Sequence, residues 1–278
     1  MKCKLSKLCG GCSLLHCPKK EQAIQKKKKV EELVDKYHLI CKVSDVHMAK
    51  NDSKYRNKVI LGFAKDKGKV YSGLYAAHSH RVINTQECPM HPDVLNDIIK
   101  EITKMVQSMK FELYNDKTGT GLLRHVLLRY GHKTGEVMVV FVTSQKIFPS
   151  RRNLVNALVE KFPQITTIIQ NVNPRKTSIV LQDESIVLYG NGTITDELCN
   201  LKITFSHNAF YQIHSEQCEV LYDIARKKLN LSKNDIVLDT YCGVGTIGLT
   251  LADSCKKVIG VEINSDSIEN AKLNARQN

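Results

Sequence analysis

The chain has 278 residues, with 41 Lys/Arg against 28 Asp/Glu, a net charge of +13 and 42% hydrophobic residues. That balance is ordinary for a folded globular protein of about two domains and excludes collagen, coiled coil and wholesale disorder. The longest clean apolar run, Val137 to Val142, is too short to span a bilayer, and no apolar segment follows the N-terminal lysines as a secretory signal requires.

Residues 1–20 read as a cysteine-rich loop, with thiols at Cys3, Cys9 and Cys12 and a Gly10-Gly11 pair between the last two. Ten cysteines without a secretory signal favour metal or catalytic use over disulfides. The spacing brings three thiols close on one loop and leaves a fourth ligand to come from elsewhere. Four thiolates suit tetrahedral zinc or an iron–sulfur cluster equally. Cys17 offers an all-local fourth ligand. Residues 1–58 hold fifteen Lys/Arg against six Asp/Glu, net +9 of the total. A basic arm on a near-neutral body points to a polyanionic partner, most often nucleic acid.

Residues 21–38 read as a helix with Ala23, Ile24, Val30, Leu33, Val34 and Tyr37 on one face and Lys26–Lys29 on its polar side. Val59–Phe63 and Val70–Leu74 read as strands about a turn at Lys65–Gly68. A helix is expected over 92–109, strands at Leu122–Tyr130 and Glu136–Thr143, and a helix over about 150–161. Short strands are expected at Thr167–Gln170, Ser178–Gln182 and Ser185–Gly190. This alternation reads as α+β. We divide the chain into a cysteine-cluster and basic, nucleic-acid-binding region (1–90), a middle α+β domain (91–205), and the start of a doubly wound sheet (206–278).

In the last region a strand ends at Asp239, a glycine loop follows (Gly243-Val244-Gly245), a helix opens at Thr246, and a second strand, Lys257–Glu262, ends in an acid. A helix opening at Ser265 completes a β-α-β-α order, the opening of a nucleoside-binding α/β sheet. Glycine permits the tight turn and close backbone approach, and an acid 23 residues after Asp239 is placed to accept ribose hydroxyls. The run Gly243-Val-Gly245-Thr-Ile-Gly248 also matches a dinucleotide fingerprint, so a dinucleotide oxidoreductase is a rival on spacing alone. Two parallel strands cannot bury both faces, which predicts either a C-terminally truncated chain or a sheet completed by another chain.

The segment Asp239-Thr240-Tyr241-Cys242-Gly243-Val244-Gly245 resembles the S-adenosylmethionine (SAM) loop of the RNA uracil-5-methyltransferase family, and Phe210-Tyr211-Gln212-Ile213-His214 resembles a second motif of that family, with His214 in place of the usual Asn. Cys3-x5-Cys9-Gly-Gly-Cys12 with the distant Cys88-Pro89 resembles its 23S ribosomal RNA branch. The resemblance implies a SAM-dependent methyltransferase fold after an α+β RNA-binding and cluster region. It assigns SAM contacts to Gln212, Tyr241, Gly243, Gly245 and Glu262, and a 4Fe-4S cluster to Cys3, Cys9, Cys12 and Cys88, the last of which is 76 residues from Cys12. It implies C5-methylation of a uridine in 23S rRNA through a covalent Cys–uracil adduct. The nucleophile and general base are expected beyond Asn278, so the 278 residues alone are expected to be inactive, and the small β-barrel that many relatives carry ahead of the cysteines is not expected in this chain. Cys242 is read as structural. Weaker matches at Tyr55–Lys58 and Leu123–Arg129 suggest Arg56, Lys58, Arg124 and Arg129 as phosphate contacts. A cytoplasmic monomer without membrane contact is the accompanying expectation. The alternatives are the family's tRNA branch, whose members generally lack the cysteine set, and a non-catalytic, zinc-stapled RNA-binding module.

Overall fold

A computed structural model describes residues 3–278. The basic arm forms α1 (Lys19–Lys36), followed by an extended strap up to residue 57. Next come β1 (Lys58–Asp66), β2 (Lys69–Tyr75), β3 (Val82–Asn84), α2 (Asp93–Ser108), β4 (Leu123–Tyr130), β5 (Val137–Thr143), α3 (Arg151–Lys161), β6 (Ile165–Val172) and β7 (Ser185–Tyr189). The hairpin β8 (Thr193–Leu198) and β9 (Leu201–Ser206) leads to α4 (Ser215–Leu229). The chain then runs through β10 (Ile236–Asp239), α5 (Thr246–Ala252), β11 (Lys257–Gly260) and α6 (Ser265–Gln277).

Seven strands form one sheet in the order β3-β2-β1-β4-β5-β6-β7, antiparallel except for β5 beside β6, which α3 connects. The β1–β2 loop is two residues, Lys67 and Gly68, both at positive φ, the geometry whose twist matches a hairpin. One sheet face packs under α2 and α3, where Leu95, Ile98, Ile102, Leu154 and Leu158 meet Leu61, Val126, Leu128, Val139 and Phe141. The other face, Leu127, Met138, Val140 and Ile169, packs against Ile194, Ile203 and Phe205 of the hairpin and against Tyr211, Cys218, Tyr222 and Val244. Strands β4 and β5 are thus buried on both sides. That explains the unbroken apolar run at Val137–Val142 in place of alternation.

The architecture is mixed α/β, ending in a separate two-stranded parallel sheet, β10 beside β11, backed by α5, while α6 packs on β9. Among the described residues no helix is long and apolar enough to cross a membrane.

The structure adds to the sequence reading at four points. The large sheet runs through position 90, since β1–β3 and β4–β7 share one hydrogen-bonded ladder, so residues 58–90 share their core with the following region. The apolar stripe of α1 is uncovered: the helix buries no residue, and Ile24, Val30, Leu33 and Tyr37 are exposed. Ser178–Gln182 is a loop whose carbonyls are taken by side-chain amides instead of a strand. Asn173 Nδ2 donates to Ile179 and Val180 O, and Asn171 Nδ2 donates to Gln182 O. The β8–β9 hairpin and α4 carry no sequence expectation. The hairpin's turn is Cys199-Asn200, both at positive φ with no glycine to announce it.

Candidate functional site

The glycine loop lies where β10 ends. Cys242 N–H donates to Val261 O (3.1 Å) and Gly245 N–H to Cys242 O (2.8 Å), so the loop closes on itself beside β11. Gly243 and Gly245 have φ of +55° and +85°, a region that penalises a Cβ, and nothing lies within 4 Å of where a Gly243 Cβ would stand. Glu262 meets Gly243 at its backbone N–H. Glu262 Oε2 accepts from Gly243 N–H (3.1 Å) and Oε1 from Asn264 N–H (2.9 Å). These bonds, Asn264 first, hold its carboxyl below the usual range. A carboxylate offers about four lone-pair sites, so each oxygen still has capacity for a hydroxyl.

The loop is anchored from below. Val244 is buried in the second core, and its carbonyl accepts from Asn274 Nδ2 (2.9 Å). Asn274 is fully buried and also pairs with both backbone groups of Thr204, so α6, β9 and the loop are joined by one side chain. Beneath the loop, Asp239 Oδ2 is out of solvent without a well-aligned partner among the described residues; burial raises its carboxyl, with the approaching Tyr241 and Gly248 backbone N–H groups opposing and Glu262 adding to it. Cys242 is buried with its Sγ against β11, where a Cβ at Gly260 would lie 2.9 Å from it, and burial raises its thiol. A packed, protonated thiol is a poor nucleophile, which fits the structural reading of this residue. Tyr241, by contrast, is 89% exposed and packs on nothing.

Gln212 lies just before α4. Its carbonyl accepts from Asn57 Nδ2 (2.8 Å), while its side-chain amide makes no hydrogen bond among the described residues. No hydrogen bond joins Gln212 to the glycine loop. They are related through α4, whose Tyr222 hydroxyl meets Thr246 Oγ1 at 2.8 Å. His214 caps α4 through Nδ1, which accepts from Gln217 N–H (3.4 Å), and stacks on Tyr55 at 4.4 Å. Capping is work that an Asn also performs, so the unusual His keeps a capping function. Accepting at Nδ1 places the neutral ring's proton on Nε2, which is out of solvent without a well-aligned partner although the Asn51 backbone approaches it.

Cys3, Cys9, Cys12 and Cys88 line one small cavity of about 40 Å³, walled by Leu5, Leu15, Leu74 and Met90, while Cys17 lines the neighbouring cleft. Among the described residues no three His, Cys, Asp or Glu side chains converge closely enough to hold an ion, so the thiols share a cavity without meeting at one point. Burial pushes the Cys12 and Cys88 thiols up, and the Arg56 guanidinium opposes it. Arg56 ties both halves of the set together: its N–H donates to Met90 O (2.9 Å) and its Nη2 to Gly11 O (3.1 Å). A Cβ at Gly10 would stand 2.8 Å from Ala77 Cβ, so only glycine permits the loop's approach there.

Two of the phosphate-contact candidates are corrected. Arg129 is 2% exposed and donates to the carbonyls of His207 (2.8 Å) and Ala209; Arg124 is 4% exposed and donates to Asn173 O (2.8 Å) and Arg175 O (2.6 Å). Both are interior struts. Lys58 is half-buried, its ammonium lowered to about 8 by burial and then by Arg129. Asn57 and Asn274 were missed. The only sequence trace of Asn274 is its spacing four residues after Asn270 on a helix face that should be apolar, and both are buried.

The family described as tRNA (uracil-5-)-methyltransferase matches residues 19–278, which includes Cys88 and leaves Cys3, Cys9 and Cys12 outside the match. An uncharacterized RNA methyltransferase of Clostridium tetani is 40% identical over 277 residues, 99% of this chain and 60% of that protein. One of Bacillus cereus is 36% identical over 281 residues, 99% of this chain and 60% of that protein. Among solved structures, the tRNA (uracil-54, C5)-methyltransferase of Pyrococcus abyssi in complex with S-adenosyl-L-homocysteine is similar, with a TM-score of 0.78 and 26% identity, covering 96% of this chain and 62% of that one. The chain thus spans about three fifths of the length of the curated relatives it matches.

Proposed function

The chain belongs to the tRNA (uracil-5-)-methyltransferase family, and on that premise we propose that its protein methylates C5 of a uridine in RNA with SAM as donor. The observation that carries this reading is the Glu262–Gly243 bond, which sets a carboxylate against the backbone of a glycine loop whose Cβ side is open. Residues 206–278 hold the donor site in this reading: Glu262 accepts the ribose hydroxyls, Gly243 and Gly245 let the backbone approach, Tyr241 covers the exposed side and Gln212 binds the amino-acid end. SAM supplies an electrophilic methyl group. The fold's part is to orient that donor and, through residues 1–205, to present the base, which must leave its stack to be reached. The nucleophile that activates uracil is a cysteine other than the packed Cys242. Calorimetric titration with SAM should show binding that Glu262→Ala weakens at least tenfold. Wild-type protein that binds nicotinamide dinucleotide and not SAM would overturn the reading.

For the substrate we propose 23S rRNA, with Cys3, Cys9, Cys12 and Cys88 holding a 4Fe-4S cluster. Four thiols on one apolar cavity, with Arg56 as a nearby counter-charge, suit thiolate ligation, and closing the set asks the loop at 3–12 to tighten. The cluster would staple the basic arm to the sheet and takes no part in the transfer. Protein purified without oxygen should contain about four irons per chain, lost on Cys88→Ser. Zinc alone would favour a zinc-stapled site. A tRNA substrate is the second reading, favoured by the printed specificity of the Pyrococcus abyssi enzyme. Methyl transfer into matched rRNA and tRNA transcripts by the longer protein separates the two.

A further inference from the structure

Between the cysteine loop, α1, the strap and the start of α4 lies a cleft of about 460 Å³. We propose that it holds one unstacked nucleotide of the RNA substrate, apart from the methyl-transfer centre and next to the segment carrying Gln212. This inference rests on the reading of RNA as substrate.

The cleft is braced on every side. Lys19 Nζ donates to Ala49 and Lys50 O (3.2 and 2.9 Å), Gln217 Nε2 donates to His47 O (2.7 Å), and Asn51 Nδ2 donates to the Glu216 carboxylate (3.2 and 3.0 Å). These bonds tie the strap to α1 on one side and to α4 on the other, so the space is largely preformed, and its size is that of a small-ligand site. A duplex is too wide for it, whereas a single splayed-out nucleotide is not.

Two features select a nucleotide over a peptide or an apolar ligand. The first is aromatic. The Tyr55–His214 stack, at 4.4 Å and 10° between planes, lines this cleft and also a second one of about 250 Å³. A flat wall shared by two clefts is a surface on which an extruded base can stack, the usual way proteins hold unpaired RNA bases. The second is charge. Asp52, the one acid lining the cleft, lies 3.8 Å from Lys19 Nζ. Lys26 also lines it and has no acidic partner among the described residues; Lys27 and Lys28 are paired with Asp45 and Glu32, and Lys29 again is unpaired. The cleft therefore presents a ring face and an uncompensated ammonium, the two groups that a base and its phosphodiester require. It also gives a use to Lys26, the residue of the α1 lysine run that lines the cleft.

The test is a fluorescence titration of the full 278-residue chain with a short single-stranded oligoribonucleotide carrying 2-aminopurine, whose emission is quenched by stacking. Wild type is expected to bind with quenching. Tyr55→Leu should bind about tenfold or more weakly, with the quench lost, and Tyr55→Phe should keep both. Lys26→Ala should weaken binding and lower the salt slope by about one. Circular dichroism of each variant guards against loss of fold, and Lys26, on an exposed helix, gives a second readout independent of the ring. No binding by wild type would overturn the RNA reading itself. Binding without quench in wild type, or full affinity and quench in both Tyr55→Leu and Lys26→Ala, would overturn the nucleotide cleft and leave the RNA reading standing.

Discussion

Arg129 shows how little a residue's type says about its job. In sequence it is a cation in a strand beside other basic residues and reads as a surface contact for phosphate. In the fold it is among the largest fully buried side chains, with two carbonyls as acceptors, the Phe205 ring 5.4 Å away and no acid as partner. Burial brings its guanidinium down to about 10, still charged at neutral pH. Arg129→Ala would orphan the carbonyls of His207 and Ala209 and leave a cavity, and we expect a loss of about 3 kcal/mol in urea unfolding. The sequence could not reveal this, because the residues that cover Arg129 return to it 78 and 80 positions later. The partners of Glu262 lie much nearer in sequence, at Gly243, 19 positions back across one β-α-β unit, and at Asn264, two positions on. Gly260 belongs to the same local set. A Cβ there meets Cys242 Sγ at 2.9 Å, so Gly260→Ala should cost about 1–3 kcal/mol. Cys242→Ala in the same chain should recover most of that in a double-mutant cycle, and additive losses would contradict the packing account.

At the scale of elements, legibility followed the signal each element carries in its own residues. Strands β1, β2, β4 and β5, helices α2 and α3, and the β-α-β-α order at the end were readable from periodicity, turn glycines and the motif. The β8–β9 hairpin was hidden because its turn uses Cys199 and Asn200 where glycine would have marked it. The stripe on α1 was read correctly as helical, yet periodicity says nothing about whether a partner exists, and none covers it here. Helix α6 makes the converse point. Its grip on the site is a polar residue, Asn274, bonding Thr204 N–H (2.8 Å), Thr204 O (3.0 Å) and Val244 O (2.9 Å). Asn274→Ala should lower stability by about 3 kcal/mol. It should also weaken SAM binding, since the freed carbonyl belongs to the glycine loop; calorimetry at a temperature where the variant is folded checks the second effect apart from the first.

Across the whole molecule the large sheet is a plate covered on both faces, with one buried histidine, His125, in its strand β4 and another, His207, just after β9. His125 bonds the Tyr75 hydroxyl at 3.1 Å and His207 the Ser185 hydroxyl at 2.9 Å; burial, followed by Arg124 and Arg129 respectively, lowers both to about 4. The folded chain therefore refuses protons that an unfolded histidine accepts near its free value of about 6.5. Stability should be complete above pH 6.5 and fall progressively toward pH 4, as urea midpoints across that window would show. His207→Gln should flatten the slope, and an unchanged slope would remove His207 from the account. The plate also sets an order in time. Asn57, at the head of β1, donates from its backbone to Ile213 O (3.1 Å) and from its side chain to Gln212 O (2.8 Å) and Ser215 Oγ (3.1 Å), partners about 155 positions downstream. At ribosomal speeds of about 5–20 residues per second, those partners are made roughly 8–30 s after Asn57 itself. Until then the strap before β1 is held only by α1 and by residues 89–90, and lacks its bonds to α4 and the segment before it. Nascent chains halted before residue 215 has cleared the exit tunnel should be cut by protease within the strap, and those halted well after it should resist.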